Sequence, residues 1–355
     1  MSLRRLGARR RFGIAVAAML TLAACGTPTA PPAPPAPTVG VAAPSPAPTS
    51  HGTVAGRGDR LLVYVWREGD TLDGVAERFF GSAARAWQIT EANRDLTQPV
   101  PGQPIVVPLV WPNPLGVAAD GTAQSIPILC YHRVGTGASK MDITPAKLEA
   151  QLEWLRSNGR TVVRLSDLAA FLAGKRPLPQ RSVVITFDDG YESVYRNAFP
   201  LLRKLGVPAT LFVYTDFIGS RDGLTWAQLD EMQRSGLIDI QAHSKTHSNL
   251  TELDGVTKLD AELRQPRALI ERSLAGAGAK VRHFAYPYGD ANPAVLDATR
   301  RAGYDIGVTV DPGGNPFYAS PLLLKRVMIF GDTDLEQFKA RLNGTRGPAA
   351  PVGRP

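Results

Sequence analysis

From Ile126 to about Leu342, apolar runs of five to seven residues alternate with stretches whose apolar residues recur every three or four positions. The runs are IPILCY, SVVITF, ATLFVY, LIDIQA, RHFAY and YDIGVTV, each long enough for a strand and too short for a packed helix. Between them lie amphipathic segments such as TPAKLEAQLEWLRSNG and NPAVLDATRRAG. Strands alternating with helices favour parallel pairing through crossover helices, so the pattern predicts an α/β domain with a mostly parallel sheet. In such a domain the chemistry is expected where strands end at their C-terminal tips.

One tip stands out. SVVITF runs directly into Asp188-Asp189-Gly190, two like charges at the end of a run that reads as buried. Asp-Gly is common turn chemistry, which is one reading. The other uses strand geometry: successive side chains point to opposite sides, so two neighbouring carboxylates can serve different partners. LIDIQAHSKTHSNL offers such partners, because His243 and His247 follow another run four residues apart. In one helical turn that spacing brings two imidazoles to one side, about 6 Å apart. Two histidines and one carboxylate form the ligand set of a catalytic zinc site with open positions. The chain has only five histidines, and two of them fall in this short polar stretch.

TFDDG, then HSKTH, then FAYPYGD resembles, in that order, the motifs of the polysaccharide deacetylase family (carbohydrate esterase family 4, the NodB-homology fold) over about 220 residues. The resemblance implies a distorted β/α barrel that removes acetyl groups from N-acetylated sugars. It makes Asp188 the general base and Asp189 a metal ligand, with His243 and His247 completing the site around a divalent metal, Zn2+ by ligand type. The backbone N–H of Tyr288 in AYPYG becomes the donor to the oxyanion. The chain departs from the family's commonest pattern twice. Where many members carry an arginine before the proline of the third motif, this chain has Ala285 and Tyr286, and Arg326 in LLLKRVMI is either the replacement or a surface cation. No histidine follows His283 to serve as the usual acid. His132, in ILCYHRVG at the tip of the first run, takes that role by resemblance to a permuted branch of the family that begins with a YHRV-like segment and includes deacetylases of poly-N-acetylglucosamine.

A smaller module precedes this domain. YVWREGDTLDGVAERFFGSAARAWQITEANRDLTQPVPGQPIVVP places a β run, two short helical patterns and a second β run within 50 residues. Through EGDTL, EAN and PGQPIVVP it resembles the LysM family, which implies a βααβ unit that grips N-acetylglucosamine-containing glycans. Phe79 and Trp87, in helical register with other apolar residues, read as its core.

MSLRRLGARRRFGIAVAAMLTLAAC has an arginine-rich start, an apolar run too short to span a bilayer, and small residues before Cys25. This resembles a lipoprotein export signal that makes Cys25 the lipidated N-terminus of a protein anchored to a membrane of the bacterial cell envelope. The formal net charge of +8 points to nucleic acid only until that signal is set aside: it carries five arginines and no acid, leaving +3, an ordinary balance. Cys130 is then the one remaining thiol, so no disulfide framework exists within the chain. The expected organisation is a signal over 1–24, a Pro/Ala-rich tether over 25–60, a LysM-like domain over 61–110, a linker over 111–125, the deacetylase domain over 126–343 and a tail over 344–355. Nine prolines between 26 and 50 would let the tether reach roughly 80 Å at about 3.1 Å per residue.

The expected function is therefore metal-dependent de-N-acetylation of a cell-envelope polysaccharide, peptidoglycan or poly-N-acetylglucosamine. Two readings stay open beside it: an O-acetyl polysaccharide esterase using the same site, and a wall-binding lipoprotein without activity. A two-carboxylate glycosidase is disfavoured, because its pair must face each other across roughly 5 to 9.5 Å and adjacent strand residues do not.

Overall fold

The structure is a computed structural model that describes residues 51–94, 98–117, 122–136 and 139–345. Cys25, the proline-rich stretch 26–50 and residues 346–355 lie outside the described residues. Among the described residues no helix is long and apolar enough to cross a membrane.

The N-terminal unit comprises β1 (Thr53–Arg57), β2 (Leu61–Val65), α1 (Leu72–Phe80), α2 (Ala86–Ala92) and β3 (Pro104–Pro108), with the three strands antiparallel in the order β1-β2-β3. Leu62, Tyr64, Trp66, Val75, Ala76, Ile89, Ile105 and Val107 form its core. The motif residues do structural work here. The Asp70 carboxylate accepts from the Tyr64 hydroxyl and from the backbone of Gly52 and Arg67, at 3.0, 3.2 and 2.8 Å, closing the entry to α1. The Asn93 amide donates to Ile89 O and Val106 O and accepts from Val106 N, fastening α2 to β3.

Two expectations change in this unit. The tether does not extend to residue 60, because Thr53–Arg57 pairs with β2 as an edge strand, supplied by backbone hydrogen bonds although its side chains are exposed. Phe79 packs against the core, but Trp87 does not: it meets Trp111 edge to face at 4.9 Å and lines a crevice of about 200 Å³ shared with Leu178 and Pro179. There the small unit rests on the large one, and Gln180 N donates to Glu91 Oε1 at 2.7 Å.

The large unit contains β4 (Ile126–Tyr131), β5 (Arg133–Val134), β6 (Asp142–Ile143), α3 (Pro145–Ser157), β7 (Thr161–Val162), α4 (Leu165–Leu172), β8 (Ser182–Phe187), α5 (Phe199–Leu205), β9 (Ala209–Val213), α6 (Trp226–Arg234) and β10 (Ile238–Ala242). It continues with α7 (Val256–Ser273), β11 (His283–Ala285), α8 (Pro293–Arg301), β12 (Ile306–Val308), β13 (Gly314–Asn315), β14 (Val327–Met328) and α9 (Leu335–Asn343). All six apolar runs form strands of one sheet, ordered β12-β11-β10-β9-β8-β4 and parallel throughout. Thr144 caps α3, with Pro145 in its first turn, and Asn292 caps α8 ahead of Pro293.

The sheet curls until segment 324–328 nearly closes it. Leu324 bridges Val308 on one edge, and Val327–Met328 pairs with Leu129–Cys130 on the other. The result is a distorted α/β barrel. Its outer face carries residues such as Val183, Ile185, Leu211 and Ile240 beneath helices, and its inner face carries Ile126, Ile128, Val184, Phe212 and Ile306, packed on Leu165, Leu168 and Phe171 of α4. Helix α4 thus fills the barrel near its N-terminal end, leaving the C-terminal tips free for polar groups. At the other margin Thr345 is buried, so the folded unit runs past the expected boundary at residue 343.

Candidate active site

Asp188 continues the inward-facing series Val184, Thr186, Asp188 beyond the end of β8, and its N–H donates to Tyr131 O at 2.9 Å. It is buried and fully engaged. Arg326 Nη1 lies 2.8 Å from Oδ1 and Nη2 2.6 Å from Oδ2, while the Cys130 thiol donates to Oδ2 at 3.5 Å. Arg326 is no surface cation: it is wholly buried, and its Nε donates to Thr309 O at 2.7 Å. Burial alone would raise the Asp188 pKa, but Arg326, with His243 and His132 behind it, outweighs that and holds the carboxyl below its usual range.

Asp189 departs from strand geometry. A positive φ of 72° turns its carboxylate towards the barrel mouth, instead of onto the outer face where alternation would send it. His243 Nε2 and His247 Nε2 come within 3.4 and 3.3 Å of Asp189 Oδ1. Burial acts to raise the Asp189 pKa, and the two imidazoles overcome it and hold the group far below the ordinary value. His243 Nδ1 donates to Ala285 O at 2.7 Å, which fixes the tautomer that leaves Nε2 facing Asp189.

The histidine pair does not use a helical turn. HSKTH is a loop in which Ser244 and His247 both adopt left-handed backbone, φ 72° and 64°, and the ring centroids stand 4.8 Å apart. Glu262 of α7, absent from the sequence expectations, anchors this loop: it accepts from Lys245 N, Thr246 N and the Thr246 hydroxyl, each at 2.9 Å. Its i+16 and i+17 separation from those donors gives no local signal. Among the described residues five non-glycine residues have positive φ, and four of them are Asp189, Ser244, His247 and Tyr288, so backbone strain is concentrated at this end of the barrel. A side chain at Gly289, which also has positive φ, would run into Val310, so AYPYG tolerates little else at its last position.

Tyr288, 60% exposed as a residue, sits at φ 61° with its ring centroid 4.9 Å from that of His247. His132 is half-buried beside Asp188, its Nδ1 buried without a partner. Burial lowers its pKa, against the pull of Asp188 and Asp189. The tertiary fold therefore brings Asp188, Asp189, His132, His243, His247, Tyr288 and Arg326 to one end, while Cys25 lies outside the described residues. His283 is elsewhere, lining a cavity of about 690 Å³ between α4 and the N-terminal ends of β10, β11 and β12.

Among the described residues two groups of side chains have ligand atoms within 4.8 Å of one another, and only one of the two suits a cation. In Cys130, His132 and Asp188 both carboxylate oxygens are already held by Arg326, whose charge repels a metal ion. In Asp189, His243 and His247 the buried Oδ1 has no hydrogen-bond partner, and two imidazole nitrogens converge on it. Carboxylate plus two imidazoles is a donor set for zinc and similar divalent ions.

The polysaccharide deacetylase family model matches residues 175–307. The Bacillus subtilis (strain 168) protein YxkH is 33% identical over 190 residues, which cover 53% of this chain and 65% of that one. A poly-β-1,6-N-acetyl-D-glucosamine N-deacetylase of Staphylococcus aureus (strain MRSA252) is 29% identical over 197 residues, 51% of this chain and 67% of that one. The chain thus spans about two thirds of the length of these relatives. The solved structure of IcaB from Ammonifex degensii superposes with a TM-score of 0.57 at 30% identity, covering 62% of this chain and 98% of that one. The family match takes in the strands that carry Asp188, Asp189, His243 and His247, and the alignment runs through almost the whole of a solved homologue with the same curled sheet: the chain belongs to the polysaccharide deacetylase family of hydrolases.

Proposed function

We propose that the protein is a metal-dependent de-N-acetylase of a cell-envelope glycan built from N-acetylglucosamine. The observation that carries this reading is the pairing of an orphaned ligand set, Asp189, His243 and His247, with a second carboxylate, Asp188, held ionised beside it by Arg326. A divalent cation held by that set, most suitably Zn2+, would polarise the acetyl carbonyl and lower the pKa of an attacking water.

The protein's own groups do the rest. Asp188, kept anionic and oriented by the arginine fork, takes a proton from the attacking water. The backbone N–H of Tyr288 donates to the oxygen on which negative charge develops. His132, in its protonated form, gives a proton to the leaving nitrogen as the C–N bond breaks, releasing acetate and a sugar amine; burial, which lowers its pKa, strengthens the acid while reducing the fraction of the ring that carries the proton.

Poly-N-acetylglucosamine is the favoured polymer, because staphylococcal relatives are named for that substrate. The LysM-like unit would hold the same kind of glycan and raise its concentration at the barrel, and lipidation at Cys25 would keep both at a membrane of the envelope. The test is acetate release from β-1,6- and β-1,4-linked N-acetylglucosamine oligomers and from purified murein, before and after chelation and with zinc restored. Release only from acetylated xylan would replace the amidase reading with an esterase, and no release from any acetylated substrate would leave a binding protein.

A further inference from the structure

The cavity that His283 lines lies at the end of the barrel away from Asp188, between α4 and the starts of β10, β11 and β12, and measures about 690 Å³. It exists because of what α4 presents there. Leu165, Leu168 and Phe171 of that helix pack into the barrel, whereas Ser166, Ala169, Ala170 and Ala173 face the cavity and are too small to fill it. Small-molecule sites commonly have volumes of about 300–1,000 Å³, and this one falls within that range.

The wall opposite α4 is held firmly. The buried Gln241 amide accepts from Arg282 N and His283 N, each at 2.8 Å, and donates to Lys280 O at 2.8 Å and to Asp239 Oδ1 at 3.0 Å. One side chain thus ties the start of β10 to the segment entering β11. Set into this wall is His283, 4% exposed, its Nδ1 buried without a hydrogen-bond partner. Buried polar atoms are nearly always satisfied, so an orphan that lines a cavity marks where a ligand atom belongs.

The charges around the cavity are unevenly matched. Of its two acids, Asp305 pairs with Arg282 at 2.8 Å, and Asp239 is held by Gln241 under the charge of Arg164. Lys175 and Lys280 line the cavity as well, and among the described residues no ion pair involves either one. Two unmatched ammonium groups and an imidazole suit a phosphate, which offers at least three strong acceptor oxygens. A bare ion would leave most of the volume empty, whereas an ester lays its carbon part on the alanine face of α4.

We infer that this cavity is a second ligand site, separate from the reacting groups, which binds a small phosphate ester: Lys175 and Lys280 take the phosphate oxygens, His283 donates to one of them, and the alkyl part rests on Ala169, Ala170 and Ala173. The ester is either a soluble molecule or the head group of an anionic lipid, and the chemistry of recognition is the same. Nothing in the inference depends on the deacetylase reading.

The test uses the full chain carrying Cys25→Ala, so that a lipid anchor does not hold it to vesicles by itself. Calorimetric titration with glycerol 3-phosphate should show saturable binding that Lys280→Glu or Lys175→Glu weakens about tenfold. Both lysines are exposed, so neither change disturbs the core. In NMR spectra the His283 ring signals, identified by their loss in His283→Gln, should shift along the same saturation curve. Flotation with phosphatidylcholine vesicles, with and without phosphatidylglycerol, separates the two sources. Binding to the phosphatidylglycerol vesicles alone, abolished by Lys280→Glu and without affinity for the soluble ester, upholds the site with a lipid as its ligand. Absence of both kinds of binding, binding that the lysine variants leave unchanged, saturable ester binding that does not move the His283 signals, or equal affinity for inorganic sulfate would overturn the site.

Discussion

Arg326, from the segment that closes the barrel, and Asp188, from the tip of β8, form a two-pronged ion pair 138 residues apart in sequence, with both side chains buried. The fork occupies both carboxylate oxygens and fixes the plane of the group proposed as the base. Substituting Arg326→Met should therefore cost about 3–5 kcal/mol of stability, because a buried carboxylate is left without its partner. Arg326→Lys should fold better but lose the fork. Its acidic pH–rate limb should move to higher pH, since Asp188 no longer has its pKa held down as strongly. A limb that stays in place in Arg326→Lys would mean that Asp188 is not the titrating base.

Metal content should separate the two neighbouring aspartates. Asp188→Asn should keep zinc and lose about 10²-fold or more in kcat, whereas Asp189→Asn and His243→Ala should lose zinc while remaining folded. Retention of zinc by Asp189→Asn with loss in Asp188→Asn would exchange the two roles.

Glu262 should matter without touching substrate. Its carboxylate holds three donors of the HSKTH loop, so Glu262→Ala should cost about 1–3 kcal/mol and weaken metal affinity about 10–100-fold. Isothermal titration of the metal-free variant with zinc measures the second effect directly, and unaltered affinity would limit Glu262 to a stabilising role.

If His132 supplies the proton to the leaving nitrogen, His132→Ala should keep its zinc and fold yet lose most turnover on amide substrates. The loss should be smaller on activated esters, whose leaving group needs no proton. Parallel losses on both substrates would count against the assignment.

His283 gives a prediction about stability alone. Burial lowers its pKa to about 4, below the ordinary value of 6.5. The unfolded chain therefore takes up a proton before the folded one, so stability is complete above pH 6.5 and is lost as pH falls from 6.5 to about 4. Across that window wild type should lose up to roughly 3 kcal/mol more than His283→Gln, measured by denaturant unfolding at several pH values. Nearby Asp239, pushed up to about 6 by burial, works in the opposite direction but is common to both proteins.

Local pattern carried a large part of this protein into the sequence. All six apolar runs became strands, and the amphipathic segments TPAKLEAQLEWLRSNG and NPAVLDATRRAG became α3 and α8, because period and length are properties of a short window. The motifs also pointed to the residues of the candidate site, since Asp188-Asp189 and His243-x-x-x-His247 are each contiguous. What the sequence could not decide was direction and distance. A left-handed φ at Asp189 and His247, not strand alternation or a helical turn, aims those two side chains at each other, and such conformations are imposed on ordinary residues by surrounding contacts. Whether Arg326 lay on the surface or against Asp188 depended on the sheet curling until its last segment met its first strand. Glu262 was invisible for the same reason, and Trp87 passed for core because a joint between units buries apolar surface by the same physics. Pairings between distant segments follow from closure of the whole barrel, and only the tertiary structure contains it.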